Sequence, residues 1–182
     1  MSTTLDHAGT TPAPTASEPS RTSDLLVGLV RIALGWVLLW AGLDKVFGLG
    51  WPTEREASVL EGNSPTEGYL TFGLNPDGPA HDLLSGWAGN PVVDVLYLAG
   101  TLGAGLALML GVVIRIAALG GGVLMVMLWF SALPLEHNPF FDQHLFYALI
   151  AVVVAVSPAG RQLGLGRWWS GTPLVRKAPW LA

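Results

Sequence analysis

Residues 95–135 read VLYLAGTLGAGLALMLGVVIRIAALGGGVLMVMLWFSALPL, and Arg115 is the only charged side chain in the run. Crossing about 30 Å of hydrocarbon takes about 20 helical residues at 1.5 Å each. The run holds two such lengths, 95–114 and 116–135, both without charge. Only Arg115 separates them, so they must form a tight helical hairpin that turns within 111–115. Long uncharged stretches of this kind point to the bilayer rather than to a water-soluble core. The fold class is all-α integral membrane.

The rest of the chain agrees. Of 182 residues, 51% are hydrophobic and 12% charged, whereas a soluble domain carries about 25% charged residues. Cysteine is absent, which removes disulfides, thiolate iron–sulfur clusters and Cys-based zinc sites. The net charge is −4 with no basic run, so nucleic acid is not an expected partner.

A third span, 25–47, is apolar except for Arg31 and the pair Asp44 and Lys45. The fourth needs an argument, because the purely apolar part, 145–160, is short. Upstream, Asn138 is a fitting N-cap and Pro139 a fitting first helical residue. A helix over 139–158 then carries Asp142 and His144 in its first turns. The expected architecture is a four-helix membrane bundle over 24–160, with a long outer segment, 50–90, between the first two helices. Short helical pieces are expected there at 54–60 and 80–87, as parts of an ordered cap or partner surface. Residues 1–23 read as a disordered tail and 161–182 as a C-terminal tail. Arg21, Arg115, Arg161, Arg167, Arg176 and Lys177 fall on one side of this topology, Lys45 and Arg55 on the other. By the positive-inside rule both termini are cytoplasmic, and the membrane is the plasma membrane.

Small and polar residues mark the faces that look inward, because membrane helices associate through close packing and polar contacts. In the first span Gly28, Arg31, Gly35, Leu38, Gly42 and Lys45 share one face. The second carries Ala99, Gly103, Ala107 and Gly111, and the third opens with Ala117/Gly121 and Ala118/Gly122. The fourth shows Ala148, Ala151, Ala155 and Ala159, a stripe that extends back to His144. Arg31 and Lys45 then lie about 21 Å apart along one helix. Lys45 and His144 are expected at similar depth.

Ionisable groups inside a membrane are costly and often functional. Each also has a plain reading. Lys45 can snorkel to the headgroups with Asp44 as its surface partner. Arg31 can anchor to a lipid phosphate or a carbonyl, Asp142 can favour a helix N-terminus, and His144 can be a hydrogen-bonded packing residue. Only His144 of the histidines falls convincingly within a span, so no haem is expected. No recognised spacing supports a metal, and no phosphate-binding glycine motif occurs. What remains is a quinone pocket: donors from Lys45 and His144, a proton relay from Asp44 or Asp142, Arg31 as a further cofactor-binding cation, and helix grooves for the isoprenoid tail.

Three runs carry a resemblance. NPFFDQHLFYAL at 138–149, RIALGWVLLWAGLDK at 31–45 and LGVVIR at 110–115 resemble, in this order, parts of the DoxX/DoxD-like membrane proteins. The resemblance covers roughly 25–160. It implies a four-helix bundle associated with membrane redox chemistry, and DoxD-type members form the membrane subunit of thiosulfate:quinone oxidoreductase. It supplies no catalytic residues, so the site rests on the helical stripes. The leading expectation is a quinone-interacting membrane subunit of an oxidoreductase, the thiosulfate:quinone type being one form, with a protein partner or a second copy beside it in the lipid bilayer. The rivals are a non-catalytic anchor that docks a redox partner through 50–90 or the C-terminal tail, and a small-solute transporter.

Overall fold

The computed structural model describes residues 21–157 and 163–181. Four long helices carry the chain: α1 (Arg21–Phe47), α2 (Pro91–Leu110), α3 (Ile114–Ser131) and α4 (Gln143–Val156). Each packs against its neighbour in sequence, and α4 returns to α1 to close the ring. Among the described residues there is no strand. The first three are long and apolar enough to cross a membrane. With 14 residues, α4 extends only about 21 Å. Residues 1–20 of the expected N-terminal tail lie outside the described residues, whereas Arg21 to Ser23 already belong to α1.

At two helix starts that differ from expectation the same dipeptide is the reason. At Asn90-Pro91 the Asn side chain accepts from the Val92 N–H at 2.9 Å with Pro in the first turn, so α2 begins four residues before Val95. At Asn138-Pro139 the Asn side chain accepts from the Phe140 and Phe141 N–H groups at 3.0 and 2.8 Å and closes a separate turn. The backbone then runs extended through Asp142. Asp142, not Asn138, is the N-cap, accepting from the Leu145 N–H at 3.0 Å. The hairpin is as tight as expected. Gly111 adopts φ +79°, and the Gly111 and Val112 N–H groups both return to the Ala107 carbonyl, a left-handed stop that suits glycine. Arg115 lies in the first turn of α3, just past that turn.

Close approach of backbones holds the bundle. Gly35 of α1 faces the Gly105 carbonyl and Met109 N of α2, and a Cβ on Gly105 would stand 2.5 Å from the Leu39 nitrogen. Leu38 reaches across to Gly121, and Gly122 meets Ala151. Leu34, Leu38, Leu108, Ala118, Ala151 and Val154 fill the centre. The expected stripes hold on α1, α3 and α4, with Ala159 outside the described residues. On α2 the stripe is corrected: Ala99 and Gly103 are exposed, and Thr101, Ala104, Gly105 and Leu108 face inward. The cause is a π-helical turn over Ala99–Gly103. Its i→i+5 bonding inserts extra backbone, so a four-residue period carried through it loses phase. Gly105→Ala should destabilise the bundle by about 1–3 kcal/mol, because the new methyl meets backbone that cannot rotate away. A thermal melt in detergent checks this, with Gly103→Ala as the control, since nothing lies within 4 Å of a Cβ there.

The 50–90 segment folds over the end of the bundle where α1 finishes. Its short turns, Arg55–Ala57, Val59–Glu61, His81–Leu84 and Ser85–Trp87, fall where helical pieces are expected. Tyr69–Gly73 is an additional π turn. Leu70, Leu74, Ala80 and Leu84 form a small core against Val93 of α2 and Phe130 of α3. Ser64 and Thr66 donate to the Asp94 carboxylate at 2.7 and 2.6 Å, tying the segment to the start of α2. The expected C-terminal tail is structured through 163–181 as α5 (Gly166–Ser170), α6 (Pro173–Lys177) and a 3-10 turn, Pro179–Leu181.

Candidate functional site

Between the 50–90 segment and the helices lies a cavity of about 690 Å³, within the range of small-molecule sites. All four long helices reach it. Trp40 and Lys45 come from α1, Tyr97 and Gly100 from α2, Met127 and Ser131 from α3, and Gln143 and His144 from α4. The segment contributes Trp51, Tyr69 and Trp87. Most of the wall is apolar or aromatic. The α2 stretch that lines it, up to Gly100, runs into the π turn.

Lys45 and His144 therefore share one cavity. The His144 side chain is 25% exposed, and its Nδ1 lies 2.6 Å from the Asp142 Oδ2. The Asp142 carboxylate thus does two things at once, capping α4 with one oxygen and holding the ring with the other. An ionised Asp142 accepts only, so Nδ1 carries the proton and Nε2 is the atom left to accept or give one. Asp142 itself faces elsewhere. It lines a second, open cleft of about 640 Å³ with Asn75, Glu136, His137 and Asn138. The His144–Asp142 pair thereby lies between the apolar cavity and an open cleft of mixed lining.

Arg31 and Asp44 behave differently from that pair. Arg31 does not line the cavity. Its guanidinium is buried and donates to the Leu108, Met109 and Leu163 carbonyls, the last at 2.7 Å. Carbonyls at a helix C-terminus lack intrahelical partners and carry the negative end of the dipole. Arg31 satisfies two of them at the end of α2. In this structure its guanidinium is engaged as the carbonyl anchor. Asp44 borders the cavity but is buried, its two oxygens accepting from the Trp51 and Thr53 N–H groups at 2.9 Å each. It folds the start of the 50–90 segment back onto α1 rather than pairing with Lys45 at the surface.

Tyr69 and Ser131 were not expected at the site. The Tyr69 hydroxyl lies 2.7 Å from Ser131 Oγ, which donates to the Leu128 carbonyl. No periodicity points to Tyr69, because its segment has none, and Ser131 sits at the end of an otherwise apolar helix. Among the described residues no group of three His, Asp or Glu side chains is placed to hold a metal ion.

The DoxX family model matches residues 26–134, and the chain belongs to the DoxX family. The match takes in α1 to α3 and the 50–90 segment, with the runs at 31–45 and 110–115, and ends before α4. No curated protein and no solved structure matches the chain.

Proposed function

We propose that the chain is a quinone-interacting membrane subunit of an oxidoreductase. The observation that carries this reading is the shared cavity: apolar and aromatic walls, with Lys45 and His144 reaching it from opposite helices of the sequence. A quinone, when bound, supplies two-electron, two-proton redox chemistry. The chain's own residues bind and orient. Lys45 Nζ donates to one carbonyl oxygen, and His144 Nε2 donates to the other when the ring carries its second proton, while Asp142 holds the ring through Nδ1 and opens a route for protons to the open cleft. The electrons come from a donor outside this chain, either thiosulfate, as the DoxD-type resemblance implies, or a protein partner.

The topology proposed for this function has four crossings, α4 completing its span with the residues that precede it. Both termini face the cytoplasm of a cell whose plasma membrane holds the bundle. The spacing of Lys and Arg supports that orientation. A test follows from the aromatic wall. A short-chain quinone should quench emission from Trp40, Trp51 and Trp87 in the detergent-solubilised chain. Lys45→Ala should weaken this binding by about tenfold, as expected for one charge-assisted hydrogen bond. Unchanged affinity in a folded Lys45→Ala variant would sink the pocket.

A second reading, a non-catalytic anchor for a redox partner, is favoured by the exposed aromatics of the 50–90 segment. Trp51 is 74% and Phe72 87% exposed. Under that reading Phe72→Ser should reduce partner recovery from native membranes while Lys45→Ala leaves it intact.

A further inference from the structure

We infer that the C-terminal segment, residues 163–181, is a binding site for anionic phospholipid at the membrane surface. The segment is not a free tail. The Leu165 N–H donates to the Leu110 carbonyl at 2.7 Å, the Leu163 carbonyl accepts from Arg31, and Pro179–Leu181 packs against α3. The Trp169 indole donates to the Leu181 carbonyl at 2.8 Å and closes α5 and α6 into one unit. Buried Val175 marks its inward side.

The segment also exposes large apolar groups. Trp168, Leu174 and Trp180 are 66%, 55% and 60% exposed, large apolar groups on a unit whose fold is otherwise complete. Arg176 and Lys177 are exposed beside them, and the segment contains no acidic residue. Arg115, at the start of α3 next to the Gly111 turn, adds another exposed cation. Among the described residues no ion pair engages Arg115, Arg176 or Lys177. Among the described residues, Asp24 in the first turn of α1 is an acid at this end of the bundle. Aromatic rings favour the headgroup layer, and unpaired cations next to them favour lipid phosphates. A protein partner of acidic surface would match the charge but would leave the tryptophans without an acyl layer.

The site is independent of the quinone reading and is tested without it. Native mass spectrometry of the full chain in detergent, titrated with phosphatidylglycerol and with phosphatidylcholine, reads the preference directly. Each basic residue near an anionic surface contributes about fivefold, so Arg176→Gln with Lys177→Gln should cut the preference roughly thirtyfold. Arg55→Gln, at the other end of the bundle, should leave it alone. In nanodiscs made with brominated acyl chains, Trp168→Phe with Trp180→Phe should remove a resolvable share of the quenched emission. An undiminished preference in the Gln variant overturns the site. Unchanged quenching in the Phe variant also overturns it, by moving the aromatics out of the lipid and onto a protein surface.

Discussion

Arg31→Ala is expected to lower the stability of the bundle by about 3–5 kcal/mol, more than any other single replacement considered. Three carbonyls lose their donor at once, and two of them, Leu108 and Met109, end a helix inside the protein. Unpaired carbonyls in an apolar surrounding have no water to turn to. The truncation also leaves a void beside Gly111, whose Cα faces the guanidinium at close range. A second consequence is specific to this arrangement. The Leu163 carbonyl is released, so the C-terminal segment loosens as the bundle weakens. Arg31→Lys keeps the charge but replaces a planar fork by a single ammonium, and should recover only part of the loss. Thermal melts of the three proteins give the ranking, and limited proteolysis near residue 163 reports the segment. If Arg31→Ala melts like wild type, the guanidinium is not the pin that the geometry describes.

His144→Ala is the replacement with the largest expected effect on ligand binding. Its cost for quinone affinity should be about ten- to a hundredfold, the range for a hydrogen bond involving a charged group. Stability should change little by comparison, since the ring is half-buried in a cavity wall and the helix cap belongs to Asp142. Asp142 separates the two roles. Asn is as good an N-cap as Asp, so Asp142→Asn should leave α4 intact while weakening the hold on His144 Nδ1. Asp142→Ala loses the cap as well, at about 1 kcal/mol. Quinone titration and melting of these variants should therefore diverge. Parallel loss of both in Asp142→Asn would mean that the carboxylate serves the fold and nothing else.

Much of this was legible in the sequence, for physical reasons that do not depend on context. An uncharged 20-residue stretch has few options other than a helix in an apolar surrounding. That reasoning placed α1, α3 and most of α2, and the single Arg115 between two spans forced the hairpin. Small residues at steps of three and four identify a packed face wherever the helix is regular, which is why the stripes of α1, α3 and α4 hold and why Lys45 and His144 meet one cavity. The period fails on α2 because a π turn is not written in local composition. The Asn-Pro signal is likewise ambiguous: the same side chain caps a helix at Asn90 and closes a turn at Asn138, depending on whether the following backbone continues or extends.

The amino-acid sequence by itself determined the class of fold, the membrane as its solvent, the order of the helices and the similar depth of Lys45 and His144, which line one cavity. Family membership follows from residues 26–134. Tertiary structure alone decided what each charge is for. Arg31 and Asp44 are both buried, yet each is consumed by backbone groups from outside its own helix, Leu163 far along the chain in one case and Trp51 and Thr53 of the adjoining segment in the other. Asp142 serves the His144 ring, and Tyr69 enters the cavity from a segment without periodicity. Local patterns register hydrophobicity and spacing, which act along a helix. Hydrogen-bond partners are chosen across the fold, where only the three-dimensional arrangement brings donor and acceptor within about 3 Å.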